Sequence, residues 1–483
     1  MINNQQPTQE ISTLVVLFGI TGDLASRNII PALYRLYQRN ILDEHFAVIG
    51  TGRTKAEDVD VNLLVIDALA DEEPNDVNNF LEHIFYQSAD VTKKEDYDKL
   101  KEKIDSLREE FEIDDLNVYH LSISPSLFSD TTTYLAESGI ASKENGDHRI
   151  IIEKPFGDDT ESARQLNAEI NEHFDEDQIF RIDHYLGMEM VQNIIATRHY
   201  NKFISNLWDK NSIDNVQITF KEDQSIGSRG EYYDAYGAFL DLFQNHILQV
   251  LALTGMEDTE DLSSNAIHQA KVDFFKTIND FSKEDVENNI ILGQYDADPS
   301  GKMNAYRDED KVEPDSMTDT YFAGKIESTA DRWEGVPFYF RHGKALDETF
   351  AVVSLVLKTK ETSEEGNNLI TFYVRPHEGV KIVLNQKAFG QEFTPATTFL
   401  DAEPVGEYEA TEYEKLIFDV LLDDHSFFVT WEEIEQQWRI TDSIRAQFDK
   451  LPTPEFPNYK AGDRGPIGAD QLLDRDGRVW IEK

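Results

Sequence analysis

The amino-terminal part of the chain alternates short apolar runs with segments of helical periodicity. Apolar runs of strand length occupy residues 13–18, 46–50, 118–124, 149–155 and 178–183. Segments with helical spacing lie between them, for example at 24–40 and 93–111. Strands that alternate with helices form a parallel sheet covered on both faces. The pattern therefore predicts an α/β domain of the Rossmann type over residues 1–184.

After residue 185 the apolar pattern changes to longer β-like runs with short connections. The segment NVQITFKE, residues 215–222, alternates strictly between apolar and polar positions. Long runs of the same kind occupy residues 350–358, 369–376 and 380–387. Helical stretches intervene at 237–255 and 431–448. We therefore predict a second, α+β domain over residues 185–483, built on a large and mainly antiparallel sheet.

The charge of the chain excludes several classes of partner. The sequence has 93 acidic and 45 basic residues, which gives a net charge of −48. Nucleic acids bind to basic surfaces, so no nucleic-acid partner is expected, and anionic membranes are disfavoured for the same reason. No apolar run approaches the about 18 residues of a membrane-spanning helix, and the start lacks the basic region of a signal peptide. We expect a cytoplasmic protein with a solvated acidic surface.

The sequence contains no cysteine. Disulfide bonds and thiolate metal sites are therefore excluded.

The segment FGITGDLA, residues 18–25, follows the first predicted strand and begins the first predicted helix. Gly19 and Gly22 permit a tight turn and a close approach of the backbone to a pyrophosphate. The N–H groups and the positive dipole end of the following helix then face that anion. Ala25 holds the place of the usual third glycine. In this context the turn predicts dinucleotide binding, with an ordinary connecting turn as the alternative.

The end of the second predicted strand indicates which dinucleotide is bound. NAD sites often have an acidic residue there, which accepts from the ribose hydroxyls. This chain has IGTGRTK at residues 49–55, with Arg53 and no acid. A guanidinium suits a 2′-phosphate. We therefore expect NADP as the cofactor, with NAD as the second option, and an ordinary surface arginine is the alternative for Arg53.

Residues 237–255 are apolar on nearly every side of a predicted helix, which is typical of a buried helix. The same helix contains a group of polar side chains: Asp241, Gln244, Asn245, His246 and Gln249. Buried polar groups need hydrogen-bond partners. A single core histidine would more often be structural, but this many polar neighbours indicate a functional site.

Two further polar residues stand at strand ends. Lys154 ends a predicted strand, and Pro155 disfavours helical geometry for it. Ligands of such sheets bind beyond the carboxyl ends of the strands, so Lys154 could position a substrate oxygen. Glu222 is in phase with the apolar positions of residues 215–222. It either points inward as an acceptor for a polyol or lies at the rim of the sheet.

The stretch RIDHYLGMEM, residues 181–190, places three ionisable residues among apolar ones: Arg181, Asp183 and His184. Burial of such groups is costly unless each is paired or has a function. The cluster is therefore a second candidate for the site.

Together these motifs resemble those of one family, the glucose-6-phosphate dehydrogenases. The matching segments occur in family order along nearly the whole chain: GITGDLA, IGTGR, SADV (88–91), IIEKPFG, RIDHYLG, MVQN (190–193), ITFKE, QNHILQ (244–249), RWEGVPFY (332–339), GKAL (343–346) and RGP (464–466). The resemblance implies oxidation of glucose 6-phosphate at C1 to 6-phosphogluconolactone, with hydride transfer to NADP and no metal. This is the first step of the pentose phosphate pathway. The resemblance also implies a homodimer, with the large sheet as its interface.

The resemblance further implies a role for each matching residue. His246 matches the general base that takes the proton of the C1 hydroxyl, and Asp183 matches the carboxylate that orients it. The implied substrate contacts are His184 and Tyr185 for the phosphate, Glu222 and Asp241 for sugar hydroxyls, Lys344, and Lys154 between sugar and nicotinamide. The implied cofactor contacts are Gly19, Thr21, Gly22, Asp23, Leu24, Arg53, Asp90 and Val91, together with Lys154.

Three positions depart from the family pattern. Met188 stands where the family has a lysine that contacts the sugar phosphate, Asn28 replaces another lysine, and Thr349 replaces a further basic contact. A charge-assisted hydrogen bond contributes about 1.5–3 kcal/mol, so two lost phosphate contacts would weaken binding by orders of magnitude. Arg198 and Lys202 are candidates for a compensating cation.

These departures leave two alternatives to the main interpretation. One is a related sugar dehydrogenase that acts on another aldose, since Lys154, Asp241 and His246 are retained. The other is a degenerate paralogue that binds a cofactor or a partner without turnover.

Overall fold

The computed structural model describes residues 11–72, 77–114, 116–359, 368–390, 395–402 and 410–482. These residues form two compact units. The first unit contains described residues within 1–187 and 408–435, and the second contains those within 188–407 and 436–483. A late segment of the chain therefore returns to the first unit.

The first unit is built on a six-stranded sheet, called the parallel sheet below. Its strands are β1 (Ile11–Phe18), β2 (Leu42–Gly52), β3 (Ile84–Ser88), β4 (Leu116–Leu121), β5 (Asp147–Glu153) and β6 (Ile179–Ile182). They lie in the order β3-β2-β1-β4-β5-β6, and each adjacent pair is parallel. This is the doubly wound order of a Rossmann fold, which confirms the prediction.

Helices connect the strands of the parallel sheet. They are α1 (Ile30–Gln38), α2 (Val61–Ala68), α3 (Val77–Leu81), α4 (Lys94–Glu110), α5 (Phe128–Glu137) and α6 (Thr160–Asn171). A π-helical turn, Ala25–Ile29, precedes α1, so the helix predicted over 24–40 is not uniform. The helix predicted over 93–111 is α4, whose exposed charges lie opposite the buried Leu100, Ile104 and Leu107.

The second unit is built on an eight-stranded sheet, called the mixed sheet below. Its strands are β7 (Ile213–Lys221), β8 (Ile290–Gly293), β10 (Tyr321–Ile326), β11 (Phe338–Gly343), β12 (Phe350–Leu357), β13 (Leu369–Arg375), β14 (Gly379–Lys387) and β15 (Pro395–Ala402). The order is β15-β14-β13-β12-β7-β11-β10-β8. The pair β7–β11 is parallel and the other pairs are antiparallel, which confirms a large and mainly antiparallel sheet. A small parallel pair joins β9 (Tyr295–Asp296) to β16 (Tyr459–Lys460).

The late segment of the first unit, within residues 408–435, is called the return segment below. Six helices precede it among the described residues of the second unit. They are α7 (Glu189–Tyr200), α8 (Lys202–Ser205), α9 (Gly230–Ala238), α10 (Leu248–Gly255), α11 (Ser264–Lys276) and α12 (Lys283–Asn289). The sequence predicts one helix over 237–255, and residues 239–255 are helical throughout, while Gly237, with φ +68°, breaks the backbone between α9 and this helix. Its first part, Phe239–Ile247, is π-helical and leads into α10. This segment is called the polar π-segment below.

The return segment forms α13 (Glu412–Leu422) and the first residues of α14 (Trp431–Phe448), and α15 (Ile467–Asp474) comes later in the chain. Leu416, Ile417 and Val420 of α13 are buried in the core of the first unit. Glu414 is fully buried, and it accepts from Nη1 of Arg39 at 2.7 Å. This helix therefore completes the core beside α1.

Among the described residues, no helix has the length and apolar character that a membrane-spanning helix needs.

Candidate active site

The turn between β1 and α1 requires glycine for steric reasons. Gly19 has φ +86°, and a Cβ added there would lie 2.3 Å from the carbonyl oxygen of Ser122. The Gly19 amide donates to the Thr51 carbonyl at 3.0 Å, and the Gly22 amide donates to the Gly19 carbonyl at 2.9 Å. Glycine at both positions lets the turn close tightly at the start of a helical segment, where backbone N–H groups can face an anion. Such a backbone cradle fits a pyrophosphate.

Asp23 and Leu24 complete this turn. The Asp23 carboxylate pairs with Nε of Arg27 at 2.9 Å, and both side chains are exposed. Leu24 packs against the core of the first unit. The Asp23 carboxylate is therefore paired with Arg27, and the groups that face the cradle are backbone groups.

Thr21 and Arg53 lie at the same edge of the parallel sheet. A Cβ on Gly52, the last residue of β2, would lie 3.8 Å from Oγ1 of Thr21. Arg53 follows directly and is exposed. The Tyr86 hydroxyl donates to the Thr54 carbonyl at 2.8 Å, which fixes the loop behind the guanidinium. A solvent-facing cation beside the turn is suited to a 2′-phosphate.

Asp90 and Val91 follow the carboxyl end of β3, which pairs with β2. Asp90 contacts the Lys93 ammonium at 2.9 Å and accepts from the Thr92 hydroxyl at 2.8 Å. Lys93 first, and then Thr92, lower the pKa of Asp90 to about 2. The carbonyl of the buried Val91 accepts from the Tyr97 hydroxyl at 3.0 Å. These contacts give the loop a fixed shape and keep the carboxylate ionised.

Lys154 follows β5, and a buried group that the sequence did not predict lies just before it. Glu153 accepts from Nε2 of His120 at 3.2 Å and from the Tyr413 hydroxyl at 3.3 Å. The Lys154–Pro155 bond is cis. The signal that could have found this group is the acid at the end of the apolar run RIIIE. Because Glu153 is anchored on two sides, the backbone at Lys154 is fixed.

Arg181 has a structural role in the RIDHYLG segment. Its Nη1 donates to Oε1 of Glu176 at 2.5 Å, and its Nη2 donates to Oδ1 of Asn167 at 2.7 Å. Its side chain is almost fully buried. The buried charge is therefore satisfied within the first unit.

Asp183, His184 and Tyr185 lie in the tight turn that follows β6. Oδ1 of the buried Asp183 accepts from the Tyr185 amide at 3.0 Å. The rings of His184 and Tyr185 have their centroids 5.0 Å apart. A Cβ on Gly187 would lie 2.8 Å from the Glu412 carbonyl oxygen, so the turn packs closely on α13. The candidate phosphate contacts therefore lie on a rigid turn.

The polar π-segment is buried, as the sequence predicts, and its Asp241 and Asn245 side chains have hydrogen-bond partners. The Tyr232 hydroxyl donates to Oδ1 of Asp241 at 3.2 Å. Oδ1 of Asn245 accepts from the His246 amide at 2.6 Å. His246 is only 1% exposed. A wider helical turn re-aims side chains relative to an α-helix, and such turns are frequent at functional sites.

Gln249, in α10, is structural. Its Oε1 accepts from Nζ of the fully buried Lys271 at 3.2 Å. This contact explains one of the polar residues that the sequence placed in the site.

Asp319 anchors the start of the polar π-segment, and the sequence did not predict it. Its Oδ2 accepts from the Phe239 amide at 2.8 Å, and its carbonyl accepts from the Ala238 amide at 2.9 Å. Burial raises the pKa of Asp319 to about 7. A Cβ on Gly237 would lie 2.7 Å from Oδ1 of Asp319, so the glycine makes room for this cap. The only sequence signal is a lone aspartate in a loop, which is too common to be informative.

Glu222 and Lys344 form a close pair at the end of β7. Nζ of Lys344 donates to Oε2 of Glu222 at 2.5 Å, and Lys344 is buried while Glu222 is partly exposed. Burial acts to raise the pKa of Glu222, but Lys344 lowers it overall. Burial lowers the pKa of the neighbouring His342 to about 4. Glu222 is therefore an ionised acceptor at the rim of the mixed sheet.

The structure thus groups the predicted residues within each unit. In the first unit the glycine turn, Arg53 and the loop after β3 share the carboxyl edge of the parallel sheet. In the second unit Lys344 contacts Glu222. Asp183 belongs to the first unit and His246 to the second, and their pairing stays a prediction.

Comparisons with known proteins identify the family. The sequence model of the glucose-6-phosphate dehydrogenase NAD-binding domain matches residues 16–193, and that of the C-terminal domain matches residues 195–481. The chain belongs to the glucose-6-phosphate dehydrogenase family. The prediction made from the motifs is therefore confirmed.

Individual relatives match the chain over nearly its whole length. The glucose-6-phosphate 1-dehydrogenase of Streptococcus pneumoniae is 38% identical, over 97% of this chain and 96% of the relative. That of Bacillus subtilis is 37% identical, over 99% of each chain. A solved glucose-6-phosphate dehydrogenase in complex with its substrate glucose-6-phosphate superimposes with a TM-score of 0.90, at 32% identity and over 98% of this chain and 99% of that one.

The positions that depart from the pattern of the glucose-6-phosphate dehydrogenases have other local roles. Met188 is only 3% exposed, and its carbonyl accepts from the Val191 amide at 3.1 Å at the start of α7. Oγ1 of Thr349 accepts from the Asp223 amide at 2.9 Å. Asn28 lies in the π-helical turn before α1.

Arg198 is unsuited to replace the missing cations. Its Nη1 donates to the Met256 carbonyl at 2.9 Å, its Nη2 donates to the Glu257 carbonyl at 3.2 Å, and it stacks on Trp208. This arginine therefore holds backbone within the second unit. Lys202 is exposed at the start of α8 and stays a candidate.

Proposed function

We propose that this protein oxidises glucose 6-phosphate at C1 to 6-phosphogluconolactone and transfers the hydride to NADP. The proposal rests on the end-to-end match to one family, whose two domain models cover residues 16–193 and 195–481. Relatives above 35% identity are named glucose-6-phosphate 1-dehydrogenases. This match favours the main interpretation over another aldose substrate or a degenerate paralogue.

His246 is the general base in this proposal. Its imidazole takes the proton of the C1 hydroxyl while the hydride leaves C1. The C1–O bond thereby becomes the lactone carbonyl, and the imidazole of His246 becomes a cation. Asp183 orients the ring and stabilises its charge, as the carboxylate of a catalytic triad does for its histidine. Bound NADP supplies the hydride acceptor.

The substrate contacts are proposed from residue chemistry. Glu222 is an ionised acceptor held by Lys344, and Asp241 is held by the Tyr232 hydroxyl. Carboxylates fixed in this way accept hydrogen bonds from sugar hydroxyls without reorganisation. His184 and Tyr185 bind the phosphate, and Lys154 lies between sugar and nicotinamide.

Residues 1–184 form the cofactor domain of the proposal. The glycine turn, with Thr21, Asp23 and Leu24, binds the pyrophosphate, and Arg53 binds the 2′-phosphate. Asp90 and Val91 line the adjacent loop. The support is the glycine turn, in which Gly19 has a positive φ, and the exposed guanidinium at the same sheet edge.

Residues 185–483, apart from the late segment with α13 that belongs to the first unit, form the substrate and dimerisation domain of the proposal. We propose a homodimer that uses the mixed sheet, because exposed apolar side chains lie on its last strands: Leu384, Phe399 and Leu400. Light scattering on the purified protein tests the dimer, and Phe399→Glu should favour the monomer. The cytoplasmic location stays a prediction from the sequence.

Initial-rate assays test the proposed reaction. Formation of the reduced cofactor, NADPH or NADH, is followed with glucose 6-phosphate, free glucose and other aldoses, each with NADP and with NAD. We expect the highest kcat/KM for glucose 6-phosphate with NADP. Equal values for glucose and its phosphate would support the aldose alternative, and no turnover with any sugar would support the degenerate paralogue.

A further inference from the structure

A cavity of about 330 Å³ opens at the amino-terminal edge of the parallel sheet. The second half of α4, the first residues of β4 and β5, and the turn after α5 line it. The glycine turn follows the carboxyl end of β1, at the opposite edge of the same sheet. The cavity is therefore distinct from the candidate active site.

One wall of the cavity is cationic. Lys101 and Arg108 lie on the same face of α4. Nη2 of Arg108 donates to Oδ1 of Asn117 at 2.7 Å, and Nζ of Lys101 donates to the Ser138 carbonyl at 3.2 Å. Asp105 is the one acid among the residues that line the cavity. In a chain with 93 acids and 45 bases, this is a local reversal of charge.

The floor of the cavity consists of hydrogen-bonding groups. Asn117 and His148 are buried and lie directly opposite each other in the register of β4 and β5. Nδ2 of Asn117 lies 3.4 Å from Nδ1 of His148. An amide nitrogen donates, so Nδ1 accepts and the ring proton lies on Nε2. Burial raises the pKa of Tyr119, which leaves its hydroxyl a neutral donor.

We propose that this cavity binds a small oxyanion through a phosphate or carboxylate group. Lys101 and Arg108 supply the opposite charge, and the guanidinium can contact two oxygens at once. The Tyr119 hydroxyl donates to a further oxygen, and the buried Asn117 and His148 form the floor beneath it. The volume is at the low end of the roughly 300–1,000 Å³ of small-molecule sites, which suits a ligand between phosphate and citrate in size.

The position of the cavity gives such a ligand a structural effect. β4 and β5 run from the cavity to His120 and Glu153 at the opposite edge, where Lys154 follows. A ligand that binds the folded first unit stabilises these strands by mass action.

Titration calorimetry on the full-length protein tests the proposal, with inorganic phosphate and citrate as probes at constant ionic strength. Arg108→Gln and Lys101→Gln should each raise the Kd by at least about tenfold, as loss of a charge-assisted hydrogen bond predicts. Lys103→Gln, on the same helix but outside the cavity, should change the Kd by less than about twofold. His184→Gln, in the candidate substrate site, should leave this binding event intact.

The outcomes separate the sources of the signal. Binding of phosphate alone assigns a phosphate group to the ligand, and binding of citrate alone assigns carboxylates. Unchanged affinity in Arg108→Gln and Lys101→Gln overturns the proposal, as does an equal loss in Lys103→Gln. Loss of all binding in His184→Gln places the anion in the substrate site and also overturns it. Lys101 and Arg108 are both half-buried and lie two turns apart on α4, so agreement between the two variants guards against an effect of misfolding in one of them. The readout is independent of the proposed reaction.

Discussion

The buried imidazole of His246 is the residue whose substitution has the most direct expected effect. His246→Asn should lower kcat by at least about a hundredfold, because a general base contributes about 10²–10⁴ in rate. The fold and the Kd for NADP should persist, since the backbone contact of His246 with Asn245 does not use the ring. Rates and cofactor fluorescence titrations measure both effects. His199→Asn, on α7, is the matched control, and near-normal turnover in His246→Asn would exclude this residue as the base.

A substitution at Arg53 tests whether this residue gives the protein its preference for NADP over NAD. Arg53→Ala should raise the Kd for NADP by at least about tenfold and leave that for NAD nearly unchanged, because only NADP has the 2′-phosphate. Arg27→Ala is the control, since Arg27 is also exposed and its partner is Asp23. Parallel titrations with both cofactors give the answer. Equal losses for both would show that Arg53 does not contact the phosphate.

Position 188 tests whether the missing family lysine limits substrate affinity. Met188→Lys should lower the KM for glucose 6-phosphate by about ten- to a hundredfold, as one charge-assisted bond predicts. The lysine stem replaces a buried methionine, so its ammonium must extend from that apolar space. The KM for free glucose should not change, because glucose has no phosphate. The improved KM for glucose 6-phosphate should rise again as the salt concentration increases.

Met188→Gln is the control for this change, because it has similar length and no charge. A lower KM for both glucose and glucose 6-phosphate would show that position 188 acts through packing. Tight binding of glucose 6-phosphate by the wild type would show that another cation replaces the lysine, and Lys202 would be the first to mutate.

At the scale of the element, Asp319 makes the polar π-segment sensitive to pH. Its pKa is 3.8 in its ordinary state and about 7 when folded, so the folded protein binds more protons between these values. The stability that protonated Asp319 contributes is complete below about pH 4 and is lost as the pH rises through about 7. Asp319→Asn removes this titration but keeps an acceptor for the Phe239 amide.

The free energy of unfolding of the wild type, relative to Asp319→Asn, should therefore fall by roughly 4 kcal/mol between pH 4 and 8. Urea unfolding at several pH values measures it. A difference that stays constant with pH would show that Asp319 titrates at its ordinary value in the folded protein.

Elements with strong local patterns could be predicted from sequence, and those fixed by neighbours could not. β1, β7 and β12 are long buried runs, and α4 has a regular apolar stripe. β3 was missed because it is an edge strand in which only Ile84 is buried. The π-helical geometry of 239–247 was missed because an α-helix has nearly the same apolar pattern.

The residues of the candidate site also fall into those that the sequence predicts and those that it does not. His246 and Asp241 stand out as polar residues in an apolar helix. Glu153 and Asp319 act through partners far away in sequence, His120 and Phe239, and a single sequence holds no record of such contacts.

At the scale of the whole molecule, the net charge of −48 makes stability depend on salt. Surplus carboxylates repel each other, and salt shortens the range of this repulsion from about 30 Å at 0.01 M to about 3 Å at 1 M. We expect the thermal midpoint to rise by several degrees between low and molar NaCl, and equally in KCl. Differential scanning calorimetry measures this. A midpoint that falls with salt would show that attractive ion pairs outweigh the repulsion.

The return of α13 to the first unit affects how the protein is made on the ribosome. The core beside α1 lacks Leu416, Ile417 and Val420, and Arg39 lacks Glu414, until residues 412–422 have been synthesised. Domains usually fold in the order in which they are translated. Here the amino-terminal unit must wait, with apolar surface uncovered, while the whole mixed sheet is translated. Apolar surface beside α1 therefore stays exposed for most of the synthesis of the chain, and exposed apolar surface favours aggregation of incomplete chains.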